Sequence, residues 1–174
     1  MSDTQVDIIT SIRVTVKTTT PYDAVLDRLN VEVQRNWPAT KSSLDHILES
    51  TSKADFERYF QINAGPSGFV QFYSMEHNKW LKLFDIGNGR RCRRVLLGNP
   101  LVAKTMLKHE LGAGLYVPVE LLLLETEDKK STEVIYILPS SLIASVNKGN
   151  EELKKAAKAL DDKFEFLIKR ITMP

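Results

Sequence analysis

The chain has 174 residues, a formal net charge of +2, 43% hydrophobic and 26% charged residues. That length supports one well-buried core and is short for two, and the mixture is that of a globular chain rather than a disordered one. The near-neutral charge excludes a whole-chain pull towards nucleic acid or an acidic membrane, and one cysteine excludes an internal disulfide and a cysteine-rich zinc site.

A single domain over 1–174 is therefore the expectation, with no cofactor, no metal, no nucleic-acid partner and no membrane partner. Met1-Ser2-Asp3-Thr4-Gln5-Val6-Asp7 lacks the basic start and apolar run of a secretory signal. The longest apolar run, around Leu121-Leu122-Leu123-Leu124, is far short of a membrane span. A cytoplasmic location follows as an expectation, with a nuclear one equally open.

In chain order, Ile8, Ile12, Val14 and Val16 alternate with Ile9, Ser11, Arg13, Thr15 and Lys17, a period of two that predicts a strand with one buried face over most of its length. Thr20-Pro21-Tyr22-Asp23 opens a helix: threonine caps, proline suits the first turn, and an aspartate favours the positive helix end. Val25, Leu26, Leu29 and Val33 give that helix its apolar stripe, and Trp37-Pro38 breaks it. Residues 36–68 then predict a helical insertion, with one short helix from Ser42 and another from Asp55 to Asn63, closed by Ala64-Gly65-Pro66-Ser67-Gly68.

A strand is predicted over 69–75, a short helix over 77–84, and a basic strand over 91–97 that turns at Gly98-Asn99-Pro100 into a helix over 101–109. Residues 116–125 and 133–138 predict two strands joined by the polar turn Glu127-Asp128-Lys129-Lys130. Pro139-Ser140-Ser141 starts one more helical turn. Gly149-Asn150 caps a last helix (149–174) whose Leu153, Ala157, Leu160, Phe164, Leu167 and Ile171 form one apolar seam. The fold class expected is α+β: an antiparallel or mixed sheet packed by helices. The strands over 69–75 and 117–124 are apolar on both faces, so helices on one side would leave an apolar face wet. Either the middle helices or a second copy must cover it, and a two-fold homodimer is the favoured solution.

The order Leu97-Gly98-Asn99-Pro100-Leu101-Val102-Ala103, then Gly114-Leu115-Tyr116-Val117-Pro118-Val119-Glu120-Leu121-Leu122, then Tyr136 and Pro139, resembles the family called domain of unknown function 302. His77 stands where many members also carry a histidine. The resemblance covers residues 69–139 and implies a β-α-β(4)-α domain, often dimeric, without a settled activity. The last helix and residues 36–68 look particular to this chain. One branch of that family has cysteines where this chain has Gly98 and Val119, so a dithiol or metal role does not carry over. Ile137-Leu138 replaces a more polar family segment.

Four features could carry chemistry. The Gly98-Asn99-Pro100 turn would aim the N-terminus of a helix at a carboxylate or phosphate. Arg91 and Arg93 share one strand face and could bind an anion, whereas Arg90, Cys92 and Arg94 share the other. Guanidinium groups around Cys92 would lower its thiol pKa and make it reactive. His77, followed by Asn78, is the one general acid–base candidate. Each has a plainer structural reading: a self-bonded turn, a charged edge strand, a buried thiol and a satisfied histidine. The functional expectation is a homodimeric ligand-binding or regulatory domain for a small anion, with a pocket at Gly98, Asn99 and Pro100 bordered by His77, Arg91, Arg93 and Tyr136. The alternatives are a cofactor-independent isomerase or hydrolase using His77 and, behind it, a protein-interaction scaffold.

Overall fold

The structure, a computed structural model, describes residues 2–33 and 43–173. Its elements run β1 (Arg13–Thr18), α1 (Tyr22–Val33), α2 (Ser43–Glu49), α3 (Lys53–Asn63), β2 (Val70–Glu76), α4 (His77–Leu81), β3 (Cys92–Gly98), α5 (Pro100–Leu107), β4 (Val119–Glu125), β5 (Thr132–Ile137), α6 (Pro139–Ile143) and α7 (Glu151–Thr172). Five strands form one antiparallel sheet in the order β1-β5-β4-β3-β2. The α+β class is thus the one that the periodicities predict. The Trp37-Pro38 break lies outside the described residues.

Period-two alternation sorts the strands into two faces. Val14, Val16, Val134, Tyr136, Leu121, Leu123, Val95 and Leu97 stand opposite one another across the ladders. They form the face that meets α1 and α7. Val25 and Leu29 enter from α1, and every residue of the predicted α7 seam is buried. Phe164 meets Tyr136 and Phe69 edge-on, with ring centroids 5.0 and 6.0 Å away. Such aromatic pairs add about 1 kcal/mol each beyond the area they bury. Asn150 caps α7 through Leu153 N at 3.0 Å.

The other face carries Leu96, Leu122, Leu124, Ile135 and Ile137, all only partly buried, with Tyr73 and Met75 exposed beside them. Among the described helices, α2 lies against β2 at the sheet edge. This is the two-faced packing problem that the strand composition poses, left open over β4 and β5.

Several boundaries differ from expectation for physical reasons. β1 starts at Arg13 rather than Ile8, which is 92% exposed. Its partner β5 gives way at Pro139 to α6, so beyond Ile12, whose carbonyl accepts from Leu138 N at 2.8 Å, the ladder has nothing to pair with. β4 starts at Val119 because Leu111–Tyr116 winds into a 3₁₀ helix before Val117-Pro118. A bulge lies between Gln71 and Tyr73, which turns Phe72 out of the ladder register.

Candidate functional site

The turn after β3 is built by short contacts. A Cβ on Gly98 would lie 3.1 Å from Phe72 Cε2 and 3.3 Å from Pro118 Cβ, so glycine is there to let two side chains close over the strand end. Asn99 caps α5, accepting from Leu101 N at 2.9 Å and donating through Nδ2 to the Gly68 carbonyl at 3.0 Å. Pro100 has no N–H, and the amides of Val102 and Ala103 both reach the Asn99 carbonyl at 2.9 Å. The first turn of α5 therefore satisfies its own donors. A carboxylate or phosphate placed there would find none free, which removes the physical ground for the anion expected at this turn.

What the turn does border is a cavity of about 470 Å³. Its wall takes Leu44 and Ile47 from α2, Phe72, Tyr73 and Leu96 from the sheet, Val102, Ala103, Met106 and Leu107 from α5, and Val117, Pro118, Val119 and Leu160. Phe69, Gly98, Asn99 and Pro100 complete it. Apart from Asn99 and the Tyr73 hydroxyl, no side chain of that wall offers a polar group.

The remaining candidates gather elsewhere. Glu76 pairs with Arg93 in the β2–β3 ladder, whereas Val70 pairs with Gly98. At about 3.3 Å per residue, the five steps from Arg93 to Gly98 put those ends roughly 17 Å apart. His77, Arg91, Cys92 and Arg93 thus lie at one end of the β2–β3 ladder and the Gly98 turn at the other, and the expected single pocket bordered by all of them does not form. Tyr136 is buried in the core under α7, where burial, aided by Glu165 and Asp161, raises its hydroxyl pKa. The sequence places Arg91 and Arg93 on one strand face, and their count of residues to Gly98, at about 3.3 Å each, already separates them from the turn.

At that far end the arginines are taken. Arg91 grips Glu125 through Nε (3.0 Å) and Nη2 (2.7 Å), also pairs with Asp23, and lies over the Tyr22 ring at 4.3 Å. Burial opposes the charge on Glu125, which is 4% exposed, but the bonds from Arg91 outweigh it and hold the carboxyl below the usual range. Arg93 bonds Glu76 at 2.7 Å, Arg94 pairs with Glu120, and Arg90 donates to the Glu125 carbonyl at 2.8 Å. Burial pushes the Tyr22 hydroxyl up to about 12, against the pull of Arg93 and Arg91. Burial likewise raises the Cys92 thiol, and Arg90 offsets it only in part, so the arginines do not activate this cysteine. The Cys92 amide donates to Asn78 Oδ1 at 3.1 Å, and His77 Nδ1 accepts from Trp80 Nε1 at 3.4 Å. No three histidine, cysteine or carboxylate side chains cluster as a metal site among the described residues.

Fold and hollow together define an α+β sheet-and-helix domain with an apolar cavity at one end of its sheet. Residues 48–171 match the family described as Domain of unknown function DUF302, and the chain belongs to that family. The match runs through α3 and nearly to the end of α7, wider than the 69–139 resemblance, so the last helix belongs to the family domain after all. A crystal structure of an uncharacterized conserved DUF302 protein from Bacillus stearothermophilus shares the fold, with a TM-score of 0.60 and 14% identity over 91% of this chain and 97% of that one. Among curated proteins, none matches the chain. No helix among the described residues is long and apolar enough to cross a membrane.

Proposed function

We propose that the protein is a ligand-binding domain whose ligand is a small, predominantly apolar molecule held in the cavity beside Gly98-Asn99-Pro100. The supporting observation is the hollow itself: about 470 Å³ of space with an almost wholly apolar wall. Ligand pockets commonly span about 300–1,000 Å³ and are lined mainly by hydrophobic side chains. At about 30 Å³ per non-hydrogen atom, borrowed from the share of a water molecule, this one takes roughly fifteen atoms. Each buried methylene contributes about 0.8 kcal/mol, so a ten-carbon chain gains about 8 kcal/mol from which the costs of association and ordering are subtracted. Gly98, Asn99 and Pro100 keep their place in this reading as wall and cap, while Arg91, Arg93 and Tyr136 act as structural supports.

The test is calorimetric titration with decanol. Saturable binding with a negative heat-capacity change supports the reading. So does its loss on Ala103→Trp, a substitution that fills the hollow from α5. No heat up to the solubility limit, in a protein that melts cooperatively, refutes it.

A homodimer through the outer sheet face fits the same picture. Leu122, Leu124, Ile135 and Ile137 are a surface that a second copy would bury. Sedimentation at micromolar concentration decides it, and a monomer rules it out. A cofactor-free reaction driven by His77 has less support, since that histidine follows the end of β2 and is not among the residues that line the hollow.

A further inference from the structure

A second hollow of about 580 Å³ lies between α3 and α5. It shares Pro100, Ala103 and Leu107 with the apolar cavity, and this stripe of α5 is the ridge between the two. The chemistry changes across the ridge. On the far side, Phe56 and Leu101 make a shallow apolar floor with the exposed Leu111 at its edge, and Lys53, Lys104 and Lys108 stand around it with a single carboxylate, Glu57. Lys104 bonds Glu57 at 2.7 Å. Lys53 and Lys108 have no anionic partner within bonding distance among the described residues. Three cations against one anion, beside an uncharged hollow, form a surface with an apolar half and a positive half.

We propose that the ligand of the apolar cavity is an aliphatic carboxylate: its chain occupies the cavity, and its head crosses the α5 ridge to Lys53, Lys104 and Lys108. This rests on the ligand-binding reading above and specifies the class of ligand. It also relocates the anion. The turn at Asn99 has no free amide to offer, whereas Lys53 on α3 and Lys108 at the end of α5 carry charge that no carboxylate among the described residues pairs, beside Lys104, which Glu57 pairs. Lysine ammonium groups make no forked bonds, so recognition of the head is by charge and reach rather than by shape.

Decanoate and decanol carry the same chain and separate the two halves of the idea. The expected result is that decanoate binds about fivefold tighter than decanol in low salt, the scale of two solvent-exposed charge pairs. That preference falls in 0.5 M salt through screening. In the double variant Lys53→Ala/Lys108→Ala the preference disappears while decanol affinity is unchanged. Equal affinity of the two probes, or a preference that survives in the double variant, overturns the carboxylate proposal and leaves the apolar-ligand reading standing. Binding of neither probe to a cooperatively melting protein overturns both.

Discussion

Two glycine-to-alanine changes test the packing around the turn, because the same added methyl meets opposite surroundings. At Gly65 the new Cβ would lie 1.9 Å from the Glu32 carbonyl oxygen, 2.4 Å from its carbon and 2.9 Å from Val33 N. These are backbone atoms at the end of α1, and the loop cannot retreat easily. Ser67 Oγ bonds the same Glu32 carbonyl at 2.9 Å, and Gly65 N bonds Phe69 O at 2.8 Å. A shift of more than an ångström is needed, so Gly65→Ala should cost about 3 kcal/mol or more. At Gly98 the nearest atom is Phe72 Cε2 at 3.1 Å, the edge of a ring that lines the cavity and has space to move into. There an overpacking cost of about 1 kcal/mol is offset by about 0.4–1 kcal/mol of lost unfolded-state entropy. At about 2–4 °C per kcal/mol for a chain of this size, thermal unfolding should drop by roughly 6–12 °C for Gly65→Ala and stay within about 3 °C for Gly98→Ala. Equal shifts, or the larger one at Gly98, would refute the reasoning.

Removing the Arg91 side chain with Arg91→Ala leaves the buried Glu125 carboxylate without its cation, held by the backbone amide of that position alone (3.1 Å), and should cost about 3 kcal/mol in urea unfolding at pH 7. Because the folded pKa of Glu125 lies below its ordinary 4.5, that pair's contribution is present above pH 4.5 and lost as pH falls through the folded value. The difference between wild type and variant should therefore shrink in acid. Asp161 runs the other way. Burial, more than the opposing bond from Ser140 N, raises its pKa above 3.8, so the folded state holds the proton longer than the unfolded one and this group costs stability as pH rises through that window. Asp161→Asn keeps the acceptor for Ser140 N (2.8 Å) and should flatten that dependence, leaving stability at pH 7 equal or higher. Cys92 should react with a thiol reagent at neutral pH more slowly than free cysteine, and speed up once urea exposes it; a rate above that of free cysteine would contradict the raised pKa.

The strands, the amphipathic helices and the opposed charges of β3 and β4 were legible because each follows a local rule. Alternation separated Arg91 and Arg93 from Cys92, and Glu120 and Glu125 do pair with Arg94 and Arg91 as their placement opposite a basic strand implies. The site was not legible in the same way. Residues that carry chemistry stand out in a sequence, and His77, Arg91, Arg93 and Cys92 drew the expectation towards them. The cavity is instead walled by Leu44, Ile47, Val102, Met106 and Val117, ordinary apolar residues from separate elements. No periodicity marks the place where such side chains fail to fill the space between them. Gly98-Asn99-Pro100 does border the cavity, for a reason of packing: glycine admits Phe72 and Pro118, and the asparagine caps the helix.

Whether a ligand enters this hollow can be read by methyl-resolved NMR. On titration with decanoate, the account predicts saturable shifts at the methyls of Ile47, Leu96, Val102 and Val119, which line the cavity, with Val25, Leu29 and Ile143 unmoved in the core. Shifts confined to Leu122, Leu124 and Ile135 on the outer sheet face, or no shifts at all, would contradict it.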